Sequence, residues 1–431
     1  MSMTAVLALL LFAVVFVLVE REQVDRQRAM LVGALLFLLL GWLLDFYPVR
    51  QAVQAIYFDT LALIFGMSLI THLLSRAGLF RYLAFKTAWF AGGNGLLLLV
   101  LFVLVTYTLS LVVNNLGTML IILPLTLASC RMLNIDAVPI VAAELIASNL
   151  GGASTLTGDF PNMIIGAAAR LHFDDFIAGM MVPCLLLLAV LLLYFQHRVP
   201  WLSSAPTGHK RLIAEAWLEQ QDRDNHITDP HLSKVGLTIL TVTLVCLITA
   251  EWIGLQPSTI AFVAGLVVLA TGGIPREELV QAVSGNDIGF FVGLFVMVGG
   301  LQAAGVLEQI HQLILLLGGG YATLSLLVLM WVAGLVTPFL NAGPTTAFFI
   351  PIAQSMSQEF SGSAIWWALS LGVLAGSSAT LSGATAGPVV ASQMAYAGGP
   401  TLSARRYLQW GVPMATTFLL LSTVYIVLIG P

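Results

Sequence analysis

Charged side chains are scarce in this sequence. Asp, Glu, Lys and Arg make up 9% of 431 residues, against roughly a quarter in soluble domains. With 59% apolar residues and a mean hydropathy of +0.97, the chain has too little polar surface for a soluble globular protein. The composition is also the opposite of a disordered chain. Long apolar runs, rather than alternating ones, exclude a transmembrane barrel, so the sequence predicts an all-α polytopic membrane protein.

Cysteine and lysine are also rare. The three cysteines lie far apart and form no CxxC, which argues against a disulfide framework and a metal site. None of the three lysines follows a GxxxxG loop, which excludes a Walker A nucleotide site. HExxH and GxGD motifs are missing, and no nucleophile and base stand at helical spacing. We therefore expect no cofactor, no metal, no nucleic-acid partner and no enzyme activity.

Long apolar runs of the length needed to cross a bilayer fill most of the chain. They lie at about 3–19, 29–46, 57–76, 96–132, 137–168, 176–196, 235–252, 257–271, 287–304, 320–355, 364–398 and 408–430. The first run is followed by Glu20–Arg28 without a small-residue cleavage site, so we interpret it as a retained helix.

Four of these runs contain breaks. Asn114–Gly117 interrupts 96–132, while Pro338 and Asn341–Pro344 interrupt 320–355. The runs 137–168 and 364–398 each have a middle rich in Gly, Ser and Thr. Irregular backbone inside a membrane survives only where protein or a wet cavity covers it, so the breaks indicate where function lies.

The breaks recur in the same order in both halves of the chain. Thr155–Gly158 reads TLTG and Thr380–Gly383 reads TLSG, an offset of 225, and Asn115 matches Asn341 at 226. Paired broken segments are typical of transporter repeats. We predict an N-terminal repeat (1–200; hairpin ~96–132, broken helix ~137–168), a cytoplasmic linker (201–234) and a C-terminal repeat (235–431; hairpin ~320–355, broken helix ~364–398).

Each repeat is then expected to have five transmembrane helices, some discontinuous, plus one re-entrant hairpin. Five is odd, so the two copies would have inverted topology. With both termini on the external or periplasmic side, 15 of the 17 basic residues lie inside, and Arg50 and Arg170 remain outside. This is the distribution that the positive-inside rule requires of an inner-membrane protein.

The polar residues of the breaks are the candidate site. Glycine allows the backbone to unwind, and Asn, Ser and Thr offer donors and acceptors without full charge. Half-helix ends at the bilayer midplane form the binding sites of such transporters. The predicted substrate-binding residues are Asn114, Asn115, Thr118, Ser148, Asn149, Gly151, Ser154, Thr155, Asn341, Gly343, Thr345, Thr346, Ser377, Ser378 and Thr380.

Two acidic residues, Asp159 and Glu144, lie inside spans. Carboxylates in a membrane are costly and are functional candidates by default. We predict that both take part in proton coupling, with Asp159 the stronger candidate. Asp159 is equally explained as the N-cap of a half-helix that begins at Phe160-Pro161, and both roles are compatible.

The stretch Ser148–Gly166, SNLGGASTLTGDFPNMIIG, resembles the NIGG-x-x-TLIGDPPN signature of the arsenite permease (ArsB)/NhaD antiporter family. That family includes the melanosomal P protein and belongs to the ion transporter superfamily. Phe290–Glu308 and Phe65–Phe80 resemble its matching second-half and first-half stretches. The resemblance covers nearly the whole chain and implies an elevator-type secondary transporter, a homodimeric scaffold and, by family analogy, an ATPase subunit as partner.

The family often has an Asp-Asn pair at its hairpin tips, whereas this chain has Asn114-Asn115 and Leu340-Asn341. A neutral hydroxylated solute suits uncharged tips because no charge has to be desolvated. We therefore predict proton-coupled export of arsenite or antimonite as neutral trihydroxy species. The alternatives are a Na⁺/H⁺ antiporter of the NhaD type with Asp159 as cation ligand, and a channel for small solutes or anions. Cys130 is more simply a buried structural residue than an arsenic ligand.

Overall fold

The computed structural model describes residues 2–20, 24–203, 227–360, 362–397 and 401–430. All of its regular elements in these ranges are helical. Eight helices there are long and apolar enough to cross a membrane: Arg26–Leu43, Phe58–Arg76, Asn115–Leu133, Phe173–Arg198, Pro230–Ile248, Gly285–Ala303, Ala322–Leu340 and Ala404–Ile429. Residues 204–226, most of the linker between the predicted repeats, lie outside the described ranges.

The first half of the chain begins with a set of six helices. They are α1 (Met3–Glu20), α2 (Arg26–Leu43), α3 (Val49–Gln54), α4 (Phe58–Arg76), α5 (Leu79–Ala91) and α6 (Gly95–Ser110). Five more follow: α7 (Asn115–Leu133), α8 (Val138–Ser154), α9 (Phe160–Ala169), the short α10 (Phe173–Phe176) and, after a π-helical turn, α11 (Val182–Arg198).

The second half repeats much of this order. It contains α12 (Pro230–Ile248), α13 (Ala250–Ile253), α14 (Pro257–Thr271), α15 (Leu279–Ala282), α16 (Gly285–Ala303) and α17 (Val306–Leu317). It ends with α18 (Ala322–Leu340), α19 (Ala342–Glu359), α20 (Ala364–Ala379), α21 (Gly387–Tyr396) and α22 (Ala404–Ile429).

Two helical hairpins and two broken helices position the polar residues. Helices α6 and α7 form one hairpin, and α18 and α19 form the other, whose tip is the single residue Asn341 at φ +70°. Between α8 and α9, residues 155–159 leave the helix, and between α20 and α21, residues 380–386 do so. One expected break differs: Pro338 lies inside α18, near its C-terminal end, and the helix continues to Leu340.

Asparagine and aspartate set several helix starts. Asn94 Oδ1 accepts from the Leu97 N–H at the start of α6, and Asn114 Oδ1 accepts from the Gly117 N–H at the start of α7. These side chains satisfy amide groups that have no partner within the helix. The second case places Asn114 at the cap, so the next residue, Asn115, is free to point into the protein.

Glycines allow the helices to pack with their backbones in contact. Helix α4 packs on α14, and a Cβ added at Gly66 would overlap the Ala261 carbonyl. Helix α20 packs on α18 in the same way, with Gly376 against the Gly334 carbonyl. Small residues are what permit such close approach between membrane helices. The resulting arrangement fixes α8 and α20 side by side in the interior.

Candidate functional site

Asn115 lies at the centre of a buried hydrogen-bond cluster. Its Nδ2 donates to Asp159 Oδ2 at 2.7 Å and to Asn149 Oδ1 at 3.1 Å. Its Oδ1 accepts from Ser110 Oγ at 2.8 Å. Because Asn115 is only 1% exposed, these contacts satisfy its whole carboxamide, and they join the first hairpin tip to the broken helix α8–α9.

Asp159 is a carboxylate with no basic partner among the residues that the structure describes. It is 5% exposed, and its Oδ1 accepts from the Phe160 N–H at 2.9 Å as the N-cap of α9. Within the described ranges, every ion pair involves other acidic residues. The positive end of the α9 dipole and the Asn115 amide are therefore the groups that oppose its negative charge.

The second half of the chain contacts this cluster through α20. Asn149 Nδ2 lies 3.5 Å from Ser378 Oγ, and Ser370 Oγ donates to Asn162 Oδ1 at 2.9 Å. A void of about 10 Å³ lies between the halves. That volume corresponds to about one water molecule. Its lining includes Asn149, Asp159, Asn162, Ala342, Ser370 and Ser377.

The second hairpin tip lies against the break between α20 and α21. Asn341 Nδ2 donates to the Ser382 carbonyl at 3.0 Å. The hydroxyls of Thr380 and Ser382 both donate to the Pro338 carbonyl at 3.1 Å. These bonds hold the break against the C-terminal end of α18, where its last carbonyls have no helical partner.

A larger cavity of about 410 Å³ opens beside this second tip. Its polar lining includes Asn341, Ser382 and Thr385, together with the ion pair of Arg26 and Asp287, whose charged atoms lie 2.8 Å apart. Phe160, which follows Asp159 in the sequence, also lines this cavity. A cavity of about 250 Å³ lies near the other end of α9, beside Arg170.

Several predicted site residues also form hydrogen bonds within their own helix. The hydroxyls of Ser148, Ser154, Thr346, Ser377 and Ser378 donate to carbonyls three or four residues earlier. Such back-bonding is common for Ser and Thr in helices. Ser154 also bonds Tyr107 at 2.8 Å.

Other predicted residues contact backbone carbonyls or pack closely at the two hairpin tips. The Thr118 and Thr155 hydroxyls donate to the Val113 and Leu111 carbonyls at the first tip. Gly151 allows α8 to touch the α6 backbone, and Gly343 faces the ring of Phe291. The Thr345 hydroxyl is buried without a hydrogen-bond partner.

Glu144 lies apart from the central cluster. It is fully buried in α8, and its Oε1 accepts from Thr126 Oγ1 of α7 at 2.6 Å. Its Oε2 has no hydrogen-bond partner. Glu144 therefore faces α7, the second helix of the first hairpin, with Cys130 buried nearby.

Asn162 is a site residue that the sequence interpretation did not include. It is 1% exposed and bonds to both the break in α8–α9 and helix α20. The sequence does mark this position, since Asn162 ends the TGDFPN stretch. Its hydrogen bonds to the break and to α20 depend on tertiary packing and cannot be deduced from that stretch. No group of three or more His, Cys, Asp or Glu residues that could hold a metal occurs in the described part of the chain.

Comparison with known proteins places the chain among transporters. A model of the citrate transporter family, CitMHS, matches residues 13–372. Magnetosome protein MamN of Magnetospirillum gryphiswaldense is 42% identical over 99% of this chain and 100% of its own length. An uncharacterized transporter of Mycobacterium tuberculosis is 30% identical over 98% of both chains.

The fold also has a solved counterpart. The YdaH transporter of Alcanivorax borkumensis superposes with a TM-score of 0.59, over 88% of this chain and 86% of its own, at 14% sequence identity. That likeness concerns the fold alone. The long apolar helices and the family match establish a multi-pass integral membrane transporter rather than an enzyme, and the chain belongs to the CitMHS citrate transporter family.

Proposed function

We propose that this protein is a secondary active transporter in which Asp159 carries the coupling proton. The observation that supports this is the environment of Asp159: a buried carboxylate, held by one amide and one backbone N–H, without a basic partner among the described residues. A lone charge is costly inside a membrane. Reversible protonation removes that cost, and it gives the group a role in coupling.

Exchange follows if the solute and the proton use the same oxygen. A solute hydroxyl donates a hydrogen bond to the Asp159 carboxylate, and the Asn115 amide orients that carboxylate. A proton bound to that carboxylate oxygen turns it into an O–H donor, so the proton and the solute hydroxyl compete for the same position. Solute and proton therefore bind alternately, which is the requirement for antiport.

We infer that the solute is small, neutral and hydroxylated. The cavity of about 410 Å³ beside the second hairpin tip is lined by the amide of Asn341 and two hydroxyls, while the charges of Arg26 and Asp287 compensate each other. Arsenous and antimonous acid have this chemistry, and the resemblance to arsenite permeases supports them. The names of the family and of the relatives mention citrate and the magnetosome, so arsenite specificity is a proposal that rests on site chemistry.

The architecture of the proposed cycle is that of two inverted repeats, 1–200 and 235–431, moving as an elevator. The hairpins α6–α7 and α18–α19 and the broken helices would form the mobile unit. We place the protein in the inner membrane as a homodimer with both termini outside, and an ATPase subunit is the partner that family analogy suggests. The relative named for the magnetosome makes that organelle's membrane the alternative location.

Sodium/proton exchange is the second candidate function. The small void beside Asp159 is lined by oxygen-bearing side chains of Asn149 and Ser377, and hard cations prefer oxygen ligands. In that case Na⁺ and H⁺ would compete for Asp159. Citrate is a less favourable cargo, because the arginine that lines the larger cavity already pairs with Asp287.

The test is uptake into proteoliposomes under an imposed pH gradient, with arsenite, antimonite, ²²Na⁺ and citrate measured separately. We expect the gradient to drive arsenite or antimonite, and Asp159→Asn to abolish that uptake. Asp136→Asn, a change at a carboxylate that is 40% exposed, is the control, and this variant should retain gradient-driven uptake.

Gradient-driven uptake that survives in Asp159→Asn overturns the coupling role. Flux that ignores the pH gradient indicates a channel instead, and ²²Na⁺ exchange that needs Asp159 supports the second candidate.

A further inference from the structure

The end of helix α8 is occupied by a side chain of the same protein. Asn162 Nδ2 lies 2.8 Å from the carbonyl oxygens of Ala153 and Thr155 and 3.3 Å from that of Gly152. Three carbonyl oxygens thus converge on one nitrogen atom. Carbonyls can only accept hydrogen bonds, so the amide nitrogen, and not the amide oxygen, must face them.

This arrangement is the one in which broken transporter helices usually bind a metal cation. Carbonyls freed at the C-terminal end of a half-helix carry partial negative charge and coordinate Na⁺ or H⁺. Here the three carbonyls surround an NH₂ group, which carries partial positive charge. Asn162 is 1% exposed, so its amide is shielded from bulk solvent.

The other end of the carboxamide fixes this orientation. Asn162 Oδ1 accepts from Ser370 Oγ of helix α20 at 2.9 Å. Rotating the amide would place its oxygen against the three carbonyls and its nitrogen against the serine. The three carbonyls therefore hold the nitrogen at the end of α8, and the hydrogen bond from the second half of the chain supports the same orientation.

We propose that the Asn162 amide occupies the place of a coupling metal cation, so that this half-helix end does not bind Na⁺ and coupling is restricted to protons. The inference rests on the proposed coupling role of Asp159, three residues earlier, and deepens it by assigning ion selectivity to Asn162. In this role Asn162 is a specificity-determining residue that touches neither the proton nor the solute.

Replacing the NH₂ by oxygen is the sharpest test. Asn162→Asp leaves the shape unchanged but puts an oxygen among three carbonyl oxygens, which repel it unless a proton or a metal cation lies between them. The purified full chain is heated in NaCl and in choline chloride of equal ionic strength. We expect the Tm of the wild type to be the same in both salts. In choline chloride, the Tm of Asn162→Asp should be lower than that of the wild type. In NaCl, the Tm of this variant should be about 3 °C or more higher than in choline chloride, as expected for a ligand that binds only the folded state.

Ser370→Ala is the matched control. It removes the bond to Oδ1 and leaves the amide and the carbonyls in place, so it lowers the Tm equally in both salts. If Asn162→Asp does not fold, Asn162→Ala exposes the same carbonyls and is expected to become Na⁺-dependent. Saturable ²²Na⁺ binding to the wild type, or a Tm of the folded variants that ignores Na⁺, overturns the proposal.

These measurements require no transport. Failure of the coupling role is detected separately, as pH-driven uptake that survives in Asp159→Asn. A wild type that binds Na⁺ while Asp159→Asn loses proton-driven uptake would overturn the selectivity role of Asn162 and leave the coupling role intact.

Discussion

Asn115 Nδ2 lies 2.7 Å from Asp159 Oδ2, and this bond joins the tip of the first hairpin to the start of α9. The two residues are 44 positions apart in the chain. Any movement of the hairpin tip therefore changes the number of donors that face the carboxylate.

Asn115→Ala should reduce solute transport at least tenfold, because Asp159 loses its side-chain donor and Asn149 loses its partner. The free energy of unfolding should fall by roughly 1–3 kcal/mol, the cost of leaving buried polar groups unpaired. Transport in proteoliposomes and chemical denaturation measure the two effects. Asn94→Ala is the control, since Asn94 only caps α6, and it should affect stability alone. Wild-type transport by Asn115→Ala would contradict the site.

Gly152→Ala should also impair transport. A Cβ at Gly152 would lie 2.5 Å from Asn115 Oδ1 and 2.9 Å from Asp159 Cβ, so it pushes these two groups apart. Overpacking of this kind costs roughly 1–3 kcal/mol. In contrast, Ser148→Ala on the same helix removes only a bond to the Leu145 carbonyl and should transport at nearly the wild-type rate. Equal transport rates for the two variants would argue against the cluster as the functional site.

The ion pair of Arg26 and Asp287 should contribute measurably to stability. The Arg26 side chain is 45% exposed and that of Asp287 18% exposed, so water screens the pair only in part. In a double-mutant cycle of Arg26→Gln and Asp287→Asn, we expect a coupling energy of about 0.5–1 kcal/mol. The more exposed pair of Arg406 and Asp136, 3.5 Å apart, is the control and should give a value near zero. A coupling energy of zero for the first pair would mean that solvent screens it fully.

Thiol labelling tests the orientation in the membrane. In a variant without Cys130, Cys184 and Cys246, we expect Arg50→Cys to react with an impermeant reagent in intact cells. Arg276→Cys should react only after permeabilisation, because the positive-inside rule places Arg276 in the cytoplasm. The reverse pattern would mean that the chain is inserted with its termini inside.

Sequence patterns predicted the helix ends near the site well, because local chemistry sets them. The Asn-rich stretch at 114–117 coincides with the start of α7, and the TLTG stretch coincides with the gap between Ser154 and Phe160. The family match likewise agrees with the prediction of a transporter. Asparagine caps and an early proline are signals that act within a few residues.

Features that depend on tertiary packing were missed. The amphipathic helices α5 and α17 are too short to appear as membrane-spanning apolar runs. Pro338 lies in the last turn of α18, where its carbonyl accepts hydrogen bonds from the hydroxyls of Thr380 and Ser382. The sequence also could not separate Asn115, which enters the cluster, from Asn114, which caps a helix. The two differ by one position, a rotation of about 100° around the helix axis.

The void beside Asp159 and the cavity beside Asn341 differ in size, and this difference has a practical consequence for inhibitor design. The void beside Asp159 holds about 10 Å³, whereas the cavity beside Asn341 holds about 410 Å³. A drug-like blocker fits only the second space in this conformation. Such a compound should bind at the tip of the α18–α19 hairpin and block its movement during transport, without contacting the Asp159 carboxylate.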